Sequence, residues 1–394
     1  MFWPICLWAL GTLGLFLSLR RWRPAHDPYL VPLLALLTGW GLVVIGRLAP
    51  NFLWRQVVWF GLGCGVIGLL ALLPTDLRFL HRYRYSWLLL GLALLAATLV
   101  LGVNPSGQGA QLWLQAPLLG RVYFQPSELL KVLLIVFLAS YFADRGHLLA
   151  LGDGRLSGRL AYLGPLLLMW GFCLTILIWQ RDLGAATLFF GLFLMLLFIA
   201  TGSWSYTFVG LMLLLLATLA GYFLYDVVAL RVDTWWNPWR ESSGRGFQIV
   251  QSLYALAAGS LLGAGVGQGF PDFIPVVHTD FAFAAIAEEW GLIGGLSVIV
   301  LYAILAERSF RIATMNQDRF RLYLAAGIGS LFAIQALLIM GGVTKLIPLT
   351  GVTLPFVSYG GSSLLTSCIM VGLLIHLSGN PSGKAGDRGM APAA

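Results

Sequence analysis

Residues 183–225 read LGAATLFFGLFLMLLFIATGSWSYTFVGLMLLLLATLAGYFLY, forty-three positions without a charged side chain. An α-helix needs about 20 apolar residues to cross a bilayer, so this stretch holds two crossings. Gly202 and Ser203 interrupt it near the middle, where a chain that turns back must stop one helix and start another. Helices apolar on every side have no place on the surface of an aqueous domain; they belong in lipid.

Runs of the same kind recur on both sides of this hairpin, at 2–19, 29–48, 53–73, 85–103, 125–143, 160–179, 281–305, 321–343 and 357–378. With 183–201 and 205–225 they make eleven spans, and the expected fold class is an all-α polytopic membrane protein. Composition agrees. The chain is 59% apolar and 10% charged, against about 25% charged in soluble domains. The net charge of +8 does not mark a nucleic-acid partner, because the basic residues sit in short loops between apolar runs. Cys6, Cys64, Cys173 and Cys368 all lie within apolar stretches, with neither metal-ligand spacing nor a disulfide framework.

Charge also sets the orientation. No basic residue precedes the first run, and Arg20, Arg21 and Arg23 follow it, which reads as an uncleaved span with its N-terminus outside. Alternate loops are then internal: 20–28, 74–84, 144–159, 202–204, 306–320 and the tail after 378. Together with Arg321 they hold 15 of the 24 Lys and Arg residues, so the C-terminus is expected in the cytoplasm. The expected organisation is an N-terminal span with its basic loop (1–28), a membrane domain (29–378) and a disordered tail (379–394) rich in Gly, Pro, Ala and Ser.

Two long connections, 104–124 and 226–280, fall outside, and long loops in a compact domain are more often functional than idle. Within the second, 247–266 is apolar enough to lie at the membrane interface. Carboxylates sort to this side: Glu128, Asp182, Asp233, Asp272 and Asp280 at outer span ends or loops, Glu288 and Glu289 slightly deeper. Acids at membrane depth are functional candidates, and Lys131 and Lys345 lie near the same level. Helix capping competes with that reading. Asp280 precedes an apolar run as an N-cap would, and Glu128 follows Pro126 in a first turn, where the helix dipole favours an acid. Capping accounts for single residues better than for the whole cluster. Gly263, Gly265, Gly267 and Gly269 fail the G-x-G-x-x-G register at Gln268 and face outward, so they are no nucleotide loop. Gly360, Gly361, Ser362 and Ser363 open the last span, where free amides could receive a phosphate or small residues could simply pack.

The motifs resemble one family in order. Phe124-Gln125-Pro126-Ser127-Glu128 with Lys131 is similar to the FQPSE-L-x-K signature of the SEDS proteins (shape, elongation, division and sporulation), the RodA and FtsW type. Gln180-Arg181-Asp182-Leu183-Gly184 resembles QPDLG, and Gly246-Phe247-Gln248 with Gln251-Ser252 resembles G-[YF]-Q-x-x-QS. His278-Thr279-Asp280-Phe281 with Glu288, Glu289 and Gly291 resembles HTDF…EE-x-G, and residues 348–363 resemble PVTG…LPFVSYGGSS. The likeness covers roughly 29–378 and implies a ten-span core, to which the first span is an addition. Five departures stand out: Leu112 where the family has arginine, Arg181 for proline, Asn237 for aspartate, Val276 for an acid and Ile339 for asparagine. Arg181 is the candidate to replace the charge missing at Leu112.

The resemblance implies a peptidoglycan glycosyltransferase of the bacterial cytoplasmic membrane, joining lipid II units into glycan on an undecaprenyl pyrophosphate carrier. It would work beside a class B penicillin-binding protein. One inverting displacement needs a base for the acceptor hydroxyl and cations for the leaving pyrophosphate. Asp280 is the expected base. Lys131, Lys345, Arg231 and Arg245 are candidates for the pyrophosphate, and a divalent cation (magnesium or manganese) could share that work, though none is firmly implied. Glu128 and Asp182 would orient Lys131 and the outer helix ends, with His278, Thr279, Glu289, Ser358, Ser362 and Ser363 as further substrate contacts. The rival reading is a lipid II flippase, which should line its path with polar groups from both faces; a pure scaffold would need no carboxylates.

Overall fold

The computed structural model describes residues 2–73, 77–104, 111–115, 123–151, 164, 167, 171, 175 and 177–379. In chain order the helices are α1 (Phe2–Trp22), α2 (Leu30–Leu48), α3 (Pro50–Leu72), the short α4 (Arg78–Arg82), α5 (Arg84–Leu101) and α6 (Pro126–Leu151). There follow α7 (Leu183–Thr201), α8 (Trp204–Leu224), α9 (Asp226–Trp236), α10 (Phe247–Gly259), α11 (Ala282–Met315), α12 (Arg319–Val343) and α13 (Gly361–Gly379). Ten of these are long and apolar enough to cross a membrane. The eleventh expected span, 160–179, lies largely outside the described residues, as does the tail beyond 379.

Local chemistry explains the boundaries. The hairpin at 202 closes because Gly202 takes the left-handed conformation (φ 65°) and donates its amide to Phe198, a glycine C-cap. Pro50 opens α3 at a position where its missing N–H costs nothing. Asp318 caps α12 by accepting from the amides of Phe320 and Arg321. Helix α11 runs ten residues past the expected end at 305. Hydropathy falls there, but Glu307 pairs with Arg311 one turn on, at 3.8 Å, and Arg308 pairs with Asp27, so charged side chains carry the helix beyond the hydrocarbon. The same helix is broken at Gly291 (φ 69°, ψ −165°).

Burial orders the bundle. In α6, 89% of the span is buried, and in α13 83%, whereas α8 and α1 bury 11% and 17%. The first two form the centre and the last two face lipid. Around α6 pack α5, α7 and α12; α13 lies along α3, and α11 along α12 and α10. The outer connection 104–124 carries a two-stranded antiparallel ladder, Leu114–Gln115 against Tyr123–Phe124, which hydropathy could not foresee. The outer connection 226–280 is folded too. It contains α9, two 3₁₀ turns (Pro238–Glu241 and Pro271–Phe273) and α10, the last within the stretch expected at the interface.

Between α12 and α13 the chain is not helical over 344–360, and this segment is stapled on all sides. Gln335 donates to the Thr353 carbonyl at 2.7 Å, Arg231 to the Thr350 carbonyl at 2.9 Å, and the Tyr302 hydroxyl to that of Pro355. Gly184 admits the segment against α7: a Cβ there would lie 2.3 Å from the Thr350 oxygen. Irregular backbone at membrane depth persists only where such partners satisfy its polar groups.

Candidate functional site

Two polar centres sit on this segment. The deeper is an ion pair inside the bundle. Lys131 lies one helical turn after Glu128 on α6, and its ammonium donates to both carboxylate oxygens at 2.7 and 2.8 Å. Lys131 is 2% exposed and Glu128 7%. Gln335 of α12 receives a longer contact from Lys131 at 3.4 Å, and the Thr366 hydroxyl of α13 reaches Glu128 at 3.4 Å. Thus the first-turn glutamate does more than meet a helix dipole: it balances a buried cation. Gln335 and Thr366 were missed in the sequence, although a glutamine inside an apolar run is itself a signal.

The shallower centre holds Asp280. It does not cap α11: Phe281 occupies the N-cap position, and no side chain there bonds a helix amide. Its carboxylate turns instead toward the 344–360 segment. A Cβ on Gly351 would stand 3.8 Å from Asp280 Oδ2 and 3.7 Å from Arg231 Nη2. Both groups therefore converge on one point of bare backbone. Burial pushes the Asp280 carboxyl up to about 6, opposed by the Thr279 hydroxyl and the Arg231 guanidinium. Burial likewise draws Arg231 down, while Asp182 and Asp280 hold it up. Asp182 feels the same desolvation, offset by a hydrogen bond from the Ala185 amide (3.0 Å) and by Lys131, so it links the two centres electrostatically. For Asp182 the capping reading is correct: it is the N-cap of α7. Arg181 beside it is exposed, with φ at 61°.

The remaining expected residues separate into neighbours of this centre and structural contacts. His278 passes its carbonyl to the Tyr359 amide (2.8 Å), stacks on Phe52 at 5.3 Å, and is held below its ordinary pKa by burial. The Thr279 carbonyl accepts from the Ser358 hydroxyl at 2.5 Å, and Ser358 also receives the Leu354 amide. Ser362 accepts from the Gln125 amide at 3.1 Å and Ser363 from the Thr353 hydroxyl at 2.9 Å. Ser358 and Ser363 bind the 344–360 segment to its surroundings, and Ser362 ties α13 to the residue before α6. Glu289 lies 3.4 Å from Arg47, and Glu288 accepts from the Phe270 amide at 2.7 Å; together they fasten the loop preceding Asp280, with Asp272 also on Arg47 at 3.2 Å. Lys345 lends its carbonyl to Trp235 at 3.2 Å, and its half-buried ammonium has no bonded partner among the described residues. Arg245 is 70% exposed, 3.6 Å from Glu241, with no contact tying it to Asp280; Asp233 accepts from Tyr222.

Buried charge also lies on the face expected inside, against the one-sided distribution that the contrast with a flippase assumed. Asp27 is 7% exposed and pairs with Arg308, whose guanidinium lies 4.6 Å from the Tyr29 ring centre; the Asp27 amide donates to Ser378. This pair is closed by its own partners. Among the described residues no three His, Cys, Asp or Glu gather where they could hold a metal ion.

Comparison with known proteins adds to this geometry. The family model described as "Cell cycle protein", that of FtsW, RodA and SpoVE, matches residues 32–382. The peptidoglycan glycosyltransferase RodA of Mycobacterium tuberculosis is 39% identical over 398 residues, covering 95% of this chain and 84% of its own. Stage V sporulation protein E of Bacillus subtilis is 35% identical over 327 residues, covering 82% and 86%. A solved chain from a study titled "Structural coordination of polymerization and crosslinking by a peptidoglycan synthase complex" superposes with TM-score 0.75 at 32% identity, over 91% of this chain and 99% of its own. The crystal structure of the Thermus thermophilus rod shape determining protein RodA gives 0.66 at 27% identity, over 91% and 98%.

Proposed function

The chain belongs to the SEDS family, the group of FtsW, RodA and SpoVE, and on that premise we propose that it is an inverting peptidoglycan glycosyltransferase that polymerises lipid II. The observation that carries the reading is the convergence of Asp280 and Arg231 on the backbone of Gly351. Asp280 takes the proton of the acceptor hydroxyl. The resulting oxygen attacks the anomeric carbon, the bond to the pyrophosphate breaks, and the carrier leaves as undecaprenyl pyrophosphate. A carboxyl near 6 suits the task, because it is ionised at neutral pH yet more basic than an ordinary aspartate.

Arg231 is the cation best placed for the leaving group, with Lys345 as the second. Lys131 already spends two hydrogen bonds on Glu128; its role is to hold α6, α12 and α13 in register beneath the site. The positive-inside distribution supports an N-terminus outside, a cytoplasmic C-terminus and a site at the outer face of the bacterial cytoplasmic membrane. A class B penicillin-binding protein is the proposed partner.

The test is reconstitution. Wild-type protein, alone and with a partner transpeptidase, is supplied with lipid II and scored for glycan beside Asp280→Asn at matched insertion. Strands from the wild type and almost none from the variant are expected. No strand from the wild type under either condition would overturn the polymerase reading. Synthesis by Asp280→Asn within a few-fold of wild type would remove Asp280 as the base.

A further inference from the structure

Helix α9 separates two polar regions. Arg231 leaves one side of it, toward Thr350 and Asp280. Two residues on, Asp233 leaves the other, because successive helical positions turn by about 100°. On that second side lies a cavity of 370 Å³, bounded by α9, the turn Pro238–Glu241 and the chain leading to α10. Pockets for small ligands occupy roughly 300–1,000 Å³, so there is room for one or two units of a polar polymer.

The charges lining it balance, with Asp233 and Glu241 against Arg240 and Arg245. Tyr222 already donates to Asp233 at 3.0 Å, and Arg245 stands 3.6 Å from Glu241. A pyrophosphate would require uncompensated cations, and this lining offers none in excess. A neutral polyhydroxyl ligand requires donors and acceptors together with a ring face for its C–H surface. Asn237 brings both kinds of hydrogen-bonding group, and Trp236, which also lines the cavity, is itself 78% exposed.

We propose that this cavity is a saccharide subsite holding the glycan strand beside the catalytic centre, with Trp236 as its stacking surface and Asn237, Glu241 and Arg245 as its hydrogen-bonding groups. It rests on the polymerase reading, and it takes Arg245 out of the pyrophosphate candidates.

The test begins with binding, which needs no turnover. The purified full chain is mixed with a β1,4-linked N-acetylglucosamine tetramer, and magnetisation transfer from protein to sugar is recorded. Transfer is expected for wild type, Trp236→Phe and Asp280→Asn, and a loss of about tenfold for Trp236→Ala. No transfer to wild type, or equal transfer to wild type and Trp236→Ala, overturns the subsite whether or not the chain polymerises. With lipid II, Trp236→Ala should shorten the strands; unchanged strand length overturns the role. A wild type that binds the tetramer but makes no strand defeats the polymerase reading instead. Loss of transpeptidase co-purification in Trp236→Ala, with tetramer binding intact, would identify a protein contact and also overturn the proposal.

Discussion

Acidification should slow this protein at the outer face in a way that one carboxyl controls. With Asp280 near 6 rather than 3.8, about 91% of it is ionised at pH 7 and about 9% at pH 5, so a rate that needs the carboxylate falls roughly tenfold across that interval. An ordinary aspartate would give almost no change there. Arg231 lowers the Asp280 pKa, so Arg231→Gln should move the acid limb toward neutral pH as well as reduce the rate. Stability should run the other way. The folded pKa is raised, so ionising Asp280 costs the folded state in full above about 6, and that cost declines as pH falls from 6 to the unfolded 3.8. Its ceiling is about 3 kcal/mol, at roughly 1.4 kcal/mol per pKa unit. Asp280→Asn should therefore be inactive yet at least as heat-stable as wild type at pH 7. The assay is the initial rate of lipid II polymerisation in proteoliposomes from pH 4.5 to 8, with thermal unfolding on the same samples. A flat wild-type rate between pH 7 and 5 would refute the reasoning, as would an acid limb that Arg231→Gln leaves in place.

Glu128→Gln and Lys131→Met should each lower membrane yield and activity, since removing one partner of a buried pair costs about 3–5 kcal/mol; turnover near normal in both would take the pair out of the working structure. Replacing both at once with uncharged residues should restore yield more than either single change does, measured by detergent-resistant monomer on size exclusion. Asp182→Asn keeps an oxygen for the Ala185 amide and should retain stability, while Asp182→Ala should lose about 1 kcal/mol, read by thermal unfolding. Gly184→Val places a side chain where a Cβ already meets the Thr350 oxygen at 2.3 Å; it should displace the 344–360 segment and abolish activity, and an active variant would show that this packing is dispensable.

Spans and family were legible in the chain because each is written locally. A helix in lipid satisfies its own backbone, so an apolar run such as 183–201 declares itself without knowledge of its neighbours. The candidate acids were legible for the same reason: charge is conspicuous where nearly everything else is apolar. What each acid does was not. Glu128 and Lys131 could be paired from their one-turn spacing, but Gln335 and Thr366, more than 200 residues away, close the pair only in the folded bundle. Asp280 and Asp182 both looked like helix caps; one is and the other is not, and the difference lies in where their carboxylates turn after the chain has packed. Arg245 and Arg231 were equal candidates in the sequence, yet Arg231 turns from α9 toward Thr350 while Arg245, on the chain leading to α10, lies exposed beside Glu241. The sequence by itself determined which segments enter the membrane. Only the tertiary structure decided which charges meet, because electrostatic contacts act over a few ångströms and the chain brings distant residues that close solely through the packing of α6, α7, α9, α12 and α13 around the 344–360 segment.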